Sequence, residues 1–167
     1  IADICTGCGA YALALAAHLP EAKVWAVDIS AEALALAERN AQQLQLASRL
    51  TFCQGDLLAP LLEAGLAFDL IVSNPPYIPS MDLPTLPPQV RREPAIALDG
   101  GADGLYFYRR LAADSGKLLK NNALLLMEHG YDQAAEIAAI MRKAGFSLLE
   151  IIEDYGGHQR GSLFRWQ

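Results

Sequence analysis

The sequence has few cysteines and no long apolar segment. Its 167 residues include three cysteines, Cys5, Cys8 and Cys53, an odd number that gives no disulfide framework. Cys5 and Cys8 are spaced like a zinc-binding pair, but no second pair or histidine cluster completes such a site, so we expect no metal. No apolar run is long enough for a bilayer, and no signal-peptide pattern is visible. We therefore expect a reduced, cytoplasmic protein without a membrane partner.

Basic residues are fewer than acidic residues. Thirteen Lys and Arg stand against nineteen Asp and Glu, which gives a net charge of −6. Proteins that bind a nucleic-acid backbone usually carry a basic stripe, so we expect no direct nucleic-acid binding. The hydrophobic content of 53% and the chain length instead indicate one folded domain with a real core.

Apolar strand-like runs alternate with helix-like segments along the chain. This alternation predicts an α/β domain with a mostly parallel sheet. Ser30 is a good N-cap for the second helix. The last two strands are too close for a crossover helix, so we expect an antiparallel pair across Gly156-Gly157. The predicted strands are 1–4, 23–29, 50–54, 68–73, 123–128, 147–152 and 162–166, and the predicted helices are 10–19, 30–44, 57–64, 104–119 and 132–144.

Polar residues follow four of the predicted strands directly. In open α/β sheets, ligands bind outside the carboxyl ends of the strands. Gly7 and Gly9 in the first loop allow a tight turn and close backbone approach to a ligand. Asp28 ends the second strand, where a ribose-binding acid is expected. Asp56 and Asn74 follow the third and fourth strands, so the four features together predict one ligand site.

Asn74-Pro75-Pro76-Tyr77 is the most informative segment. Two prolines fix φ, lack N–H donors and push the preceding residue into an extended conformation. The Asn74 carboxamide and the Pro75 carbonyl are thereby held in place, with the Tyr77 ring two residues further on. Two such acceptors and a ring suit a planar group that carries an NH2. The segment 78–94 that follows is rich in proline, and we interpret it as a substrate-binding loop.

The motifs resemble those of a known family. The loop Asp3-Ile4-Cys5-Thr6-Gly7-Cys8-Gly9 is similar to the methyltransferase pattern D/E-x-G-x-G-x-G, with Cys5 at the first glycine; this departure matters if position 5 needs a positive φ. Asn-Pro-Pro-Tyr is typical of methyltransferases that act on planar amino groups. Over nearly the whole chain the sequence resembles the HemK-type protein-(glutamine-N5) methyltransferases, through 73–79, Arg92-Glu93-Pro94, 97–109, Glu128-His129-Gly130 and 154–160.

The resemblance implies a fold, a cofactor and a substrate. The fold is the class I, Rossmann-like methyltransferase fold, with a mostly parallel seven-stranded sheet and an antiparallel last strand, over residues 1–167. The methyl donor is S-adenosylmethionine. The acceptor is the glutamine of the Gly-Gly-Gln motif in peptide chain release factors. The family's amino-terminal helical domain is not in this sequence, so we expect weak action on a release factor by this chain alone.

The resemblance also assigns site residues. Asn74, Pro75 and Tyr77 are the expected catalytic residues, and Pro76 joins them in binding the substrate. We assign no role to Arg92, Glu93 or Glu128. The expected cofactor-binding residues are Asp3, Thr6, Gly7, Cys8, Gly9, Asp28, Ile29, Asp56, Leu57 and Asn74.

Three alternatives stay open at the level of sequence. A glutamine methyltransferase that acts on a ribosomal protein would carry the same motifs. An amino-methyltransferase that acts on DNA or RNA bases would share Asn-Pro-Pro-Tyr, but it needs a base-flipping cleft and a basic surface. A cofactor-binding module without catalysis would have no need of the intact motif.

Overall fold

The computed structural model describes residues 1–167 as a single seven-stranded sheet flanked by helices. The spatial order is β3-β2-β1-β4-β5-β7-β6. Only β7 runs antiparallel to its neighbours β5 and β6, which confirms the predicted sheet. The strands are β1 Ala2–Ile4, β2 Val24–Asp28, β3 Leu50–Gln54, β4 Phe68–Ser73, β5 Leu119–Glu128, β6 Phe146–Glu153 and β7 Gln159–Trp166.

The order of the strands reverses at β1 and β4. Successive strands step from β1 to β2 and β3 on one side, and from β4 to β5 on the other. The loops after β1 and β4 therefore diverge and leave a crevice at the carboxyl edge of the sheet, where ligands bind in folds of this kind. β1 and β4 pair in parallel, with Ile4 opposite Ser73.

Six helices pack around the sheet. Ser30 caps the second helix as predicted, because its hydroxyl accepts a hydrogen bond from the Ala33 N–H at 3.1 Å. None of the helices combines the length and the apolar composition needed to cross a bilayer. The helices are α1 Ala10–His18, α2 Ala31–Gln43, α3 Ala59–Glu63, α4 Ala95–Leu98, α5 Tyr106–Asp114 and α6 Ala134–Lys143.

The largest correction to a predicted boundary concerns β5; β7 also begins earlier than predicted, at Gln159 instead of Ser162. The helix expected over 104–119 ends at Asp114, one 3₁₀ turn follows at Ser115–Lys117, and β5 begins at Leu119 instead of Ala123. Leu118 is buried and its carbonyl accepts a hydrogen bond from the Phe68 N–H at 2.7 Å. Pairing with β4 thus outweighs the helical tendency of residues 115–119. This pairing joins residues that are distant in the chain, so the local sequence pattern does not reveal it.

The proline-rich segment 78–94 is more regular than expected. It contains 3₁₀ turns at Ser80–Thr85 and Val90–Arg92, and the short helix α4 follows it directly. Ile78 forms an isolated bridge with Asp99, so the two ends of this excursion meet.

The larger of two hydrophobic clusters lies between the sheet and the helices α5 and α6, and the smaller one lies between the sheet and the helices α1 and α2. The largest fully buried side chains of the larger cluster include Tyr108, Leu111, Ile137 and Met141 from α5 and α6. The Tyr108 hydroxyl donates to the Glu128 carbonyl at 2.7 Å, which satisfies the phenol at the carboxyl end of β5. Burial raises the pKa of this phenol. The packing fixes β5, and with it the neighbouring end of β4.

Candidate active site

Asp3 organises the loop that follows β1. Its carboxylate accepts a hydrogen bond from the Thr6 hydroxyl at 2.6 Å and one from the Ala12 N–H at 2.9 Å, so it ties the loop to α1. The other carboxylate oxygen is buried without a hydrogen-bond partner. Burial raises the pKa of Asp3 from 3.8 to about 6. Asp3 and Thr6 are both buried, and neither lines the cavity described below.

The loop turns through three residues with positive φ. Cys5 has φ 60°, Gly7 φ 54° and Gly9 φ 86°. Cys5 therefore occupies a conformation that glycine adopts more easily, and glycine is the residue that the methyltransferase pattern has at this position. Burial raises the pKa of the Cys5 thiol to about 12, which keeps it uncharged. Space around the Gly7 Cα is open to 4 Å, whereas a methyl group on Gly9 would lie 3.0 Å from the Ala37 side chain.

Asp28 joins this loop to the end of β2. One carboxylate oxygen accepts from the Gly7 N–H at 2.8 Å, and the other accepts from the Ser30 N–H at 2.9 Å. The Asp28 carbonyl also accepts from the Gly55 N–H at 2.9 Å, which brings Asp56 beside it. Each carboxylate oxygen keeps a further lone pair, so Asp28 can still accept a hydrogen bond from a ligand.

One cavity of about 450 Å³ brings the ends of four strands together. This volume lies within the range of small-molecule sites, about 300–1,000 Å³. Of the predicted cofactor-binding residues, Gly7, Asp28, Ile29, Asp56, Leu57 and Asn74 line the cavity, together with Cys5 and Pro76. Asp3, Thr6, Cys8 and Gly9 belong to the same loop but lie outside the cavity wall.

Asn74 directly follows the carboxyl end of β4. The preceding residue, Ser73, is buried, and its hydroxyl donates to the Ile4 carbonyl at 2.8 Å, which fixes the end of the strand. Asn74 is exposed and faces the cavity, while Pro75 and Pro76 are buried. Tyr77 is half-buried and lines a second groove, of about 900 Å³, on the other side of the motif. The four residues thus separate the cavity from this groove.

Part of the cavity wall was missed at the level of sequence. Arg110 on α5 holds Asp56 in a two-pronged ion pair, with nitrogen–oxygen distances of 3.0 and 2.8 Å. The Arg110 guanidinium lies 5.6 Å from the centre of the Tyr106 ring. No local motif marks these positions, because α5 reaches the cavity only through the packing of the core. The other wall residues from this part of the chain are Pro94, Ile96, Ala97 and Phe107.

Glu128 lies near the motif but outside the cavity. Its carboxylate accepts a hydrogen bond from the Tyr11 hydroxyl. Burial, with the nearby Glu128 charge as a smaller cause, raises the pKa of both Tyr11 and Tyr77. His129, the next residue, is fully buried and lies 2.8 Å from the Ser162 hydroxyl. Arg92 and Glu93 are exposed.

No group of three or more His, Cys, Asp or Glu residues is arranged to hold a metal ion. The polar side chains that line the cavity include Asp28, Asp56 and Asn74, and apolar residues make up about half of its wall.

Comparison with known proteins agrees with this geometry. Residues 1–92 match a family model described as a methyltransferase domain. The chain is 49% identical over 161 residues to the release factor glutamine methyltransferase of Moorella thermoacetica, covering 96% of this chain and 56% of that protein. It is 43% identical over 159 residues to the protein of the same name from Caulobacter vibrioides, covering 95% and 54%. The chain thus spans about half the length of these relatives.

Solved structures share the fold at low sequence identity. A methyltransferase from Pyrococcus furiosus has a TM-score of 0.72 at 23% identity and is matched over 98% of this chain and 72% of that one. The ribosomal protein L11 methylase of Lactobacillus delbrueckii subsp. bulgaricus has a TM-score of 0.70 at 23% identity, over 99% and 69%. Sheet order, cavity and sequence match agree, and the chain belongs to the methyltransferase domain family.

Proposed function

We propose that this protein transfers a methyl group from S-adenosylmethionine to the side-chain amide nitrogen of the glutamine in the Gly-Gly-Gln motif of peptide chain release factors. One observation carries the proposal. Asn74, exposed at the end of β4, lines the same cavity as Asp28 and Asp56. This placement supports a direct contact between a methyl donor in the cavity and an amide held by Asn74.

The cavity suits the proposed methyl donor. Asp28 offers carboxylate oxygens to a vicinal diol, and Ile29 and Leu57 offer apolar surface to a flat ring. The open space above Gly7 leaves room for close approach of a ligand to the backbone. When bound, S-adenosylmethionine supplies an electrophilic methyl carbon on a sulfonium.

Asn74 and Pro75 act on the acceptor in this proposal. An amide nitrogen is a poor nucleophile, because its lone pair is delocalised into the carbonyl. The Asn74 side-chain oxygen and the Pro75 carbonyl accept hydrogen bonds from the glutamine NH2 and hold its nitrogen in line with the methyl group. Positioning of this kind contributes several kcal/mol, up to roughly 7–11 in the best-oriented model reactions. The proton is released to water after transfer, so no strong base is needed.

The names of the relatives support a release factor as the protein substrate. Relatives from Moorella, Caulobacter, Clostridium and Agrobacterium, at 41–49% identity, all carry the name release factor glutamine methyltransferase. Tyr77, which stands next to the acceptor site, packs against the glutamine amide in this proposal. The net charge of −6 supports a protein partner over a nucleic-acid backbone. A cytoplasmic location remains a prediction.

A transfer assay tests the proposal. In separate reactions, the protein is incubated with methyl-labelled S-adenosylmethionine and one acceptor. The acceptors are a release factor, ribosomal protein L11 and double-stranded DNA. We expect label only in the release factor, and none when its Gly-Gly-Gln is changed to Gly-Gly-Ala. Label in the Gly-Gly-Ala protein, or in another acceptor alone, would overturn the assignment.

A further inference from the structure

Gln133 links three separate segments around the Asn74–Tyr77 motif. Its side-chain nitrogen donates to the Tyr77 carbonyl at 3.0 Å and to the Gly104 carbonyl at 3.3 Å. Its side-chain oxygen accepts from the Gly130 N–H at 2.9 Å. Both N–H groups and the oxygen of the carboxamide are thus used, each with a backbone partner.

The motif needs such a link because of its prolines. Pro75 and Pro76 have no N–H and cannot donate to a neighbouring strand. The near end of the motif is held by β4, where Ser73 pairs with Ile4 and Met127. The far end is held through the Tyr77 carbonyl and through Ile78, whose N–H donates to the Leu98 carbonyl at 3.0 Å and whose carbonyl accepts from the N–H of buried Gly100 at 2.8 Å.

The hydrogen bond from the Ile78 N–H does not lead to the core. Leu98 belongs to the short helix α4, which contains no buried residue. Gln133 immediately precedes α6, whose residues Ala134 and Ile137 are buried. The Gln133 carboxamide therefore adds a direct link from the Tyr77 backbone to the start of α6, beside the packing of the Tyr77 side chain against the core.

The surroundings leave no slack at this junction. A methyl group on Gly104 would meet the Tyr77 carbonyl oxygen and would lie 2.6 Å from the Gln133 side-chain nitrogen. A methyl group on Gly100 would lie 2.8 Å from the Tyr77 backbone. Real Cβ atoms do not approach other atoms this closely, so the Tyr77 backbone is closely packed against Gly100 and Gly104, and we call this contact the seat around Tyr77.

We propose that Gln133 is a positioning residue for methyl transfer: by holding the Tyr77 carbonyl, it fixes the Pro75 carbonyl and the Asn74 carboxamide at the distance that the acceptor amide requires. The proposal rests on the proposed function, since it assigns Asn74 and Pro75 to the acceptor. Gln133 itself does not touch the cavity that holds the methyl donor. Its loss should therefore slow transfer and leave donor binding intact.

Two substitutions test the role. Gln133→Met keeps the length of the side chain and removes all three hydrogen bonds. We expect kcat to fall about tenfold or more, while the Kd for S-adenosylmethionine stays within about twofold. The matched control is Gln43→Met, the same change at an exposed position of α2, and it should alter neither quantity. An unchanged kcat, or a Kd that rises in step with the loss of kcat, would overturn the proposal.

Gln133→Glu adds a readout that a purely structural role would not move. The new carboxylate keeps an acceptor for the Gly130 N–H but faces two carbonyls without a donor. Protonation restores one O–H donor, and the nearby carbonyls favour the protonated form. The ratio of wild-type to variant kcat should therefore shrink as pH is lowered from about 8 to about 6. A ratio independent of pH would contradict the role of the donor.

Hydrogen exchange separates this proposal from the function it rests on. In Gln133→Met, the Ile78 and Gly130 amides should exchange about tenfold faster than in wild type and in Gln43→Met. This comparison needs no acceptor protein. Wild-type protein that methylates no release factor would refute the proposed function. Unchanged exchange at both amides would refute the positioning role, whatever the activity.

Discussion

The Gly7 N–H donates to the Asp28 carboxylate at 2.8 Å and so joins the loop after β1 to the end of β2. The same carboxylate accepts from the Ser30 N–H, the N-cap residue of α2. One side chain thus holds the shape of the loop and presents oxygens to the cavity. Removal of this side chain should therefore change the conformation of the loop and also take away acceptors that a ligand could use.

Asp28→Ala should weaken binding of S-adenosylmethionine about tenfold to a hundredfold, because hydrogen bonds to a charged group contribute about 1.5–3 kcal/mol. Titration calorimetry measures the Kd directly. Glu38→Gln, which removes an exposed acid from α2, is the control for net charge and should leave the Kd unchanged. Equal affinities for wild type and Asp28→Ala would remove Asp28 from the donor site.

Asp3 should make the stability of the protein fall as pH rises through the weakly acid range. Burial raises its pKa in the folded state to about 6, from 3.8 in the unfolded chain. The folded state therefore binds more protons between these values. The stabilisation is complete below about pH 4 and is lost as pH rises through about 6, a change of about 3 kcal/mol.

Asp3→Asn provides the comparison, because it cannot titrate. The free energy of unfolding of wild type minus that of Asp3→Asn, from urea titrations, should decrease by this amount between about pH 4 and about pH 7. A difference that is constant with pH, or that increases, contradicts the raised pKa. Carboxyl carbon NMR of Asp3 gives the pKa independently.

Cys5 and Cys53 should respond differently to the same substitution. Both are half-buried and pack against the same core, but Cys5 has φ 60° and Cys53 lies within β3. Glycine relieves a backbone cost of about 1–2 kcal/mol at a positive φ and adds about 0.5–1 kcal/mol of cost within a strand. Cys5→Gly should thus be less destabilising than Cys53→Gly by about 1 kcal/mol or more, as measured by urea unfolding. Equal losses would show that position 5 carries no strain.

Gly104→Ala should disturb the Tyr77 backbone and lower both stability and transfer. Gly104 and Gly157 have nearly the same φ, 73° and 77°, but a methyl group on Gly157 meets no atom within 4 Å. The conformational cost is common to both changes, so the comparison isolates the steric conflict. Gly104→Ala should be about 1–3 kcal/mol more destabilising than Gly157→Ala. Similar unfolding curves for the two variants would mean that the seat around Tyr77 can yield.

Local pattern was enough to predict most of the fold. Short apolar runs, the Ser30 cap and the polar residues after each strand follow rules of a few neighbouring residues, and they located the sheet edge with Asp28, Asp56 and Asn74. The predicted start of β5 was wrong because Leu118 and Leu119 are fixed by pairing with Phe68, some fifty residues away in the chain. Arg110 was missed for the same reason, since its partner Asp56 lies in the distant loop after β3.

The backbone conformation of single residues was also beyond the sequence. Comparison with the pattern D/E-x-G-x-G-x-G showed that Cys5 stands where a glycine is usual, but only the structure shows that φ is positive there. Gln133 carries no motif at all. Its importance comes from three backbone groups that the fold brings within 3.3 Å of one carboxamide.

The most direct test of the account is a paired measurement on Asn74→Ala. Its Kd for S-adenosylmethionine and its rate of methyl transfer to a release factor are determined on the same preparation. We predict that the rate falls at least about a thousandfold while the Kd changes by less than about threefold, because the proposed function assigns Asn74 to the acceptor amide more than to the donor. Methylation at a near-normal rate by Asn74→Ala would contradict the central claim.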